Sequence, residues 1–111
     1  MKFDFRLKKE KDFEIVFKKG KRLFSKNLTL VYVPADFLKA GFAVSKKHGG
    51  SVKRNRIKRL LRESFRSFLP NLLEGGQNFF FVFIPKQNND YNLVDFKKEM
   101  DYLFKKGGFL V

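Results

Sequence analysis

Between Lys46 and Arg66 the chain carries nine Lys or Arg residues and a single acid, Glu63. Within and just beyond that stretch Ile57, Leu60, Leu61, Phe65 and Phe68 return at the three- and four-residue spacing of one helix face. These two facts leave few folds open. At about 100° per residue the apolar five form a stripe that can dock on a sheet. Asn55, Arg59, Arg62 and Arg66 fall on the opposite side, flanked by Arg56 and Lys58. Such a helix has to lie on the outside of a domain, half docked and half in water. The run holds +8 of the chain's formal +14, and that much like charge raises the energy of the compact state unless a polyanion relieves it.

The remainder of the chain supplies the docking partner. At 111 residues with 43% hydrophobic side chains, it reads as one domain with a core of its own, residues 1–111, with residues 1–9 a loosely ordered basic arm. The longest apolar run, Phe79 to Ile84, is far short of the roughly 20 residues that span a bilayer. The N-terminal stretch has no apolar block of the kind a secretory signal needs. There is no Cys, so neither a disulfide framework nor a thiolate metal site. A soluble cytoplasmic protein with a nucleic-acid partner, and no membrane partner, is the expectation.

Along the chain, Asp12 is placed to cap a short helix presenting Phe13, Val16 and Phe17, which Gly20 stops. Arg22–Phe24 reads as a short strand, and Leu28–Val33 alternates with Leu28, Leu30 and Tyr32 on one face and Thr29, Val31 and Val33 on the other. Ala40–Ser45 reads as a third strand. Gly49, Gly50 and Ser51 then break the chain and offer a cap for the basic helix, Val52 to Phe68, with Pro70, Gly75 and Gly76 ending the region. Phe79–Ile84 is apolar on both faces and reads as a central strand. Asn88, Asn89 and Asp90 are turn material, and a last helix runs Leu93–Lys106 to Gly107 and Gly108. The order helix–strand–strand–strand–helix–strand–helix predicts an α+β two-layer sandwich.

The cationic helix lacks the Glu partners at i, i+4 that solvated surface helices use. Guanidinium favours bidentate phosphate contacts, and Asn55 adds a neutral donor and acceptor among the Arg residues. Lys46, Lys47 and the amides of Gly49 and Gly50 precede a helix start, a place that attracts phosphate, although the glycines lack P-loop spacing. His48 has no partner near it in sequence. Phe13 and Phe17, at i, i+4 on a helix flanked by Lys and Arg, read as core residues on their own evidence. Glu10, Asp12 and Asp4 are scattered and form no metal-holding pair, so no catalytic residue and no protein-bound cofactor or metal is expected.

The segment GFAVSKKHGGSVKRNRIKRLLRESF, residues 41–65, resembles the defining stretch of the bacterial ribonuclease P protein subunit. Its hallmark is Arg-Asn-Arg followed by x-Lys-Arg, here Arg54, Asn55, Arg56, Lys58 and Arg59. KDFEIVFKKGKR at 11–22 is similar to that family's first helix and turn. The resemblance implies an accessory subunit of a ribonucleoprotein endoribonuclease whose RNA, using Mg²⁺, removes the 5′ leader of precursor tRNA. It implies that Lys53, Arg54, Asn55, Arg56, Lys58, Arg59, Arg62 and Arg66 face the catalytic RNA. It also implies that Phe13, Phe17 and Tyr32 line a cleft for the leader, with Ser45, Lys46 and Lys47 at its edge. A left-handed strand–helix–strand crossover around the basic helix is implied as well, against the general right-handed preference.

Other readings stay open on charge alone. A ribosomal or RNA-chaperone protein shares this composition, and only the 41–65 motif separates it. A protein-only nuclease would cut RNA without an RNA cofactor. A helix-turn-helix DNA reader is disfavoured, because the cationic helix follows strands rather than a helix and a tight turn.

Overall fold

The computed structural model describes residues 4–87 and 91–110. Four helices and four strands alternate as α1 (Glu10–Lys19), β1 (Lys21–Phe24), β2 (Leu28–Pro34), β3 (Lys39–Phe42), α2 (Ser51–Arg66), α3 (Leu69–Glu74), β4 (Phe79–Pro85) and α4 (Leu93–Lys106). The strands form one sheet in the order β1-β2-β4-β3. β1, β2 and β4 are antiparallel neighbours, whereas β3 lies parallel to β4 and reaches it through a crossover containing α2 and α3. Leu28, Thr29, Leu30, Val31 and Val33 are all buried on β2, as are Phe81, Val82 and Phe83 on β4, so both central strands are covered on both faces. No helix among the described residues is long and apolar enough to cross a membrane.

The α+β class holds, and the order of elements holds with one addition, the short helix α3 between the basic helix and β4. The two-layer sandwich is the larger half of the molecule: α2, α3 and α4 put Ile57, Leu61, Phe65, Leu72, Phe96, Met100 and Phe104 against Leu28, Leu30, Phe81 and Phe83. On the opposite face α1 alone adds a partial third layer, with Val16 against Val31, Val33 and Val82. Glu99 of α4 ties the β1–β2 turn to the larger core, its carboxylate accepting from Ser25 Oγ at 2.6 Å, from Asn27 Nδ2 at 3.0 Å and from the Asn27 amide.

Several local expectations change. The described part of the N-terminal segment is not a loose arm: Phe5 and Leu7 are buried, Ala40 N–H donates to Phe5 O at 2.7 Å and Leu7 N–H to Ala40 O at 2.8 Å. Alternating Phe5 and Leu7 with charged neighbours is strand patterning, and the edge of β3 gives it a partner. Asp12 is not the cap of α1; Lys9 holds that position without a side-chain hydrogen bond, and Asp12 sits in the first turn, where the helix dipole favours an anion. The third strand runs Lys39–Phe42 and so stops short of Ser45, and residues Lys46–His48 form a single 3₁₀ turn. Gly50, not Ser51, caps α2. Pro70 opens α3 rather than closing the region, since a first-turn Pro lacks only an N–H that would be unpaired anyway. Asn88, Asn89 and Asp90 lie outside the described residues.

Candidate nucleic-acid interface

α2 is oriented by its buried stripe. Ile57, Leu61 and Phe65 are at most 2% exposed, and Ser64 joins them because its Oγ donates to Leu60 O at 2.8 Å. Docking of that stripe leaves Lys53, Asn55, Arg56, Arg59 and Arg66 in solvent and Arg54, Lys58 and Arg62 half-buried along the flank. Among the described residues the only ion pair on the helix joins Arg66 Nη1 to Glu63 Oε1 at 2.7 Å. Lys53, Arg54, Arg56, Lys58, Arg59 and Arg62 have no carboxylate within ion-pair distance among the described residues. Arg54, Lys58 and Arg62 are also stacked at i, i+4, where like charges oppose helix formation by roughly 0.2–0.5 kcal/mol per pair. The Nε atoms of Arg54 and Arg62 are shielded from water without a hydrogen-bond partner.

The second surface lies on the opposite face of the sheet, beside α1. Two glycines set how closely α1 approaches. A Cβ on Gly20 would stand 2.3 Å from Val16 O and 2.6 Å from Val31 Cγ1, and one on Gly41 would stand 2.5 Å from the Phe13 ring. Phe13 therefore packs closely over Gly41 of β3, while Phe17 is 37% exposed with its ring centroid 6.4 Å from that of Phe13. Asp12 shares one flank of α1 with Phe37 and Lys39. Five residues on, Phe17 is rotated by about 140° and faces the other flank. There the strand register aligns Phe24, Thr29 and Ile84 on the same sheet face, followed by Ala43, whose N–H donates to Phe83 O at 3.0 Å. Lys86 Nζ lies 5.9 Å from the Phe24 ring centroid, and Ser45, Lys46 and Lys47 are exposed where β3 gives way to the 3₁₀ turn.

Tyr32 does not belong to this cleft. It sits on the larger-core face, with ring centroids 5.0 Å from Phe109 and 6.0 Å from Phe79. Strand alternation is the physical reason: α1 covers the face of Val31 and Val33, and Tyr32 has the other parity. Val31 and Val33 are the β2 residues packed with Val16 of α1. The structure thus separates thirteen of the fourteen sequence candidates into two groups, the eight α2 residues on one surface and Phe13, Phe17, Ser45, Lys46 and Lys47 on or beside the other, with Tyr32 in the larger core. Phe24, Thr29, Ala43 and Ile84 border the same face, a placement that their alternation with core residues signals in the sequence, and Lys86 follows at the end of β4.

The sequence model of the family described as Ribonuclease P matches residues 1–108. The chain belongs to that family. It is 40% identical to the ribonuclease P protein component of Clostridium kluyveri over 108 residues, covering 94% of this chain and 95% of that one. It is 32% identical to the component from Exiguobacterium over 108 residues, covering 96% and 92%. The ribonuclease P protein of Staphylococcus aureus superposes with a TM-score of 0.82 at 25% identity, covering 98% of this chain and all of that one. The protein from Thermotoga maritima gives 0.72 at 25% identity, over 90% and 96%.

Among the described residues no three His, Cys, Asp or Glu side chains converge to hold a metal ion. His48 is buried, with its Nδ1 3.2 Å from Ser45 O and its ring 5.8 Å from Tyr91, so it braces the turn that carries Lys46 and Lys47. Among the described residues Asp4 is the one acid with a displaced pKa. Hydrogen bonds from the Lys8 ammonium first, then from the Arg6 amide and guanidinium, hold its carboxyl well below the usual carboxylate range.

Proposed function

We propose that this chain is the protein subunit of a ribonuclease P ribonucleoprotein, which removes the 5′ leader from precursor tRNA in the cytoplasm. The observation that carries this reading is the row of cations on α2, in a chain of this family, that among the described residues has one carboxylate partner at Arg66 and none elsewhere. Lys53, Arg54, Asn55, Arg56, Lys58, Arg59, Arg62 and Arg66 bind the phosphates of the catalytic RNA. Binding releases condensed counterions and removes the self-repulsion of the helix.

The cleft beside α1 takes the single-stranded leader. Phe17 offers an exposed ring on which a base stacks, Phe13 backs it, and Ser45, Lys46 and Lys47 meet the adjoining phosphates. Mg²⁺ serves the reaction on the RNA, and the protein's residues screen charge and hold both strands in place. Reconstitution tests this. Added to a bacterial ribonuclease P RNA at low Mg²⁺, the protein should restore removal of the leader, and it should cut nothing in the absence of that RNA. Failure to stimulate any bacterial ribonuclease P RNA would overturn the proposal.

A further inference from the structure

A cavity of about 240 Å³ opens at the outer edge of β3, between the two surfaces described above. Lys58 and Arg62 enter it from α2, one helical turn apart, and Arg6 and Lys8 enter from the N-terminal segment. Phe13 and Phe42 form its apolar floor, and no carboxylate lines it. Lys8 and Arg6 are held at its rim by Asp4, at 2.8 Å and 3.2 Å, outside the cavity itself.

Two further features mark the cavity as an anion site. Arg62 is half-buried at the cavity wall and has no carboxylate within ion-pair distance among the described residues. The backbone edge is also open. Pairing of the N-terminal segment with β3 uses Phe5 O, Ala40 N–H, Ala40 O and Leu7 N–H. Ala43 N–H turns inward to Phe83 O, so by parallel-strand alternation Phe42 N–H points outward on the same edge as Ala40 N–H. Guanidinium, ammonium and an amide N–H converging above an aromatic floor is the donor set for a phosphate ester next to a base.

We propose that this groove holds one phosphodiester of a single-stranded RNA segment and so joins the α2 cations to the α1 cleft in one continuous track. Phe13 makes the connection physically, since it lines the groove and also backs Phe17. This inference rests on the proposed function, and it adds the N-terminal Arg6 and Lys8 to the RNA-contacting residues.

The test uses the full chain carrying Arg6→Gln and Lys8→Gln, assembled with a bacterial ribonuclease P RNA. One arm measures assembly with that RNA alone, and the other measures binding of precursor tRNA with and without its leader. Loss of affinity on the order of tenfold in one arm is expected, with the salt dependence falling by about 0.7 log units per log unit of salt. The arm affected identifies the strand as catalytic RNA or leader. Lys58→Gln, from the opposite wall, should weaken the same arm. A single neutral methylphosphonate linkage in that strand should weaken wild type at one position and the double variant not at all. If both arms are unchanged while Arg56→Gln with Arg59→Gln still weakens assembly, the groove assignment is wrong and the proposed function survives. If those ladder variants are silent too, the proposed function fails with it.

Discussion

Neutralising part of the α2 ladder separates a binding surface from a structural one. Six cations, Lys53, Arg54, Arg56, Lys58, Arg59 and Arg62, have no ion-pair partner among the described residues. If each meets one phosphate, log K should fall with log salt at a slope of about −4 on single-stranded contacts to −5 on duplex ones. Raising salt from about 50 to 200 mM then weakens assembly roughly 300- to 2,000-fold. Replacing Arg56 and Arg59 by Gln should lower that slope by about 1.4 to 1.8. Both side chains are exposed and unpaired, so the same change should leave folding stability within about 0.5 kcal/mol of wild type, a shift of about 2 °C in Tm. Filter binding over a salt series, together with thermal unfolding of the isolated protein, measures both quantities. An unchanged slope, or a melting temperature lower by 8 °C or more, would show that these guanidiniums hold the fold rather than RNA.

The two rings on opposite faces should respond in opposite ways. Phe17→Ala should weaken precursor tRNA more than mature tRNA with little change in Tm, whereas Tyr32→Ala should lower stability by about 2 kcal/mol and leave the leader preference intact; the reverse pattern would return Tyr32 to the cleft. Glu99→Ala strands the Ser25 hydroxyl and the Asn27 donors, so urea unfolding should show a loss of about 1–3 kcal/mol without a change in the salt slope of RNA binding. Because the folded state lowers the pKa of Asp4, its contribution to stability is present above the ordinary value of 3.8 and fades as pH falls below it toward the lowered one. Protection of the Leu7 amide against hydrogen exchange should therefore drop on acidification through that window in wild type, and an Asp4→Asn variant should show no such step.

Much of the fold follows from short-range pattern. The stripe of Ile57, Leu61 and Phe65 fixed which way α2 faces, because period 3.6 leaves one arrangement that buries them. The last helix begins and ends where its Asn, Gly and apolar spacing put it, Leu93–Lys106, and the doubly apolar Phe79–Ile84 run is central in the sheet. The Arg-Asn-Arg triplet and its neighbours carried the family resemblance directly, since those residues act through their own chemistry.

Long-range contacts decided the rest. Alternation on β2 sorts Tyr32 from Val31 in the sequence, yet nothing local says which of the two faces α1 will cover. That choice is settled by Gly20 and Gly41, which let α1 approach β2 and β3 closely, and by the larger cluster of Phe side chains that claims the opposite face for α2 and α4. The N-terminal segment gains order only because β3 presents an unpaired edge to it. Its hydrogen bonds join residues more than thirty apart, and periodicity within a strand or helix carries no information about a partner at that distance. The sequence by itself thus determined the charge, the helix that bears it and the parity of each strand. Only the tertiary structure decided which residues of that parity meet across the sheet, because burial is won collectively by elements distant along the chain.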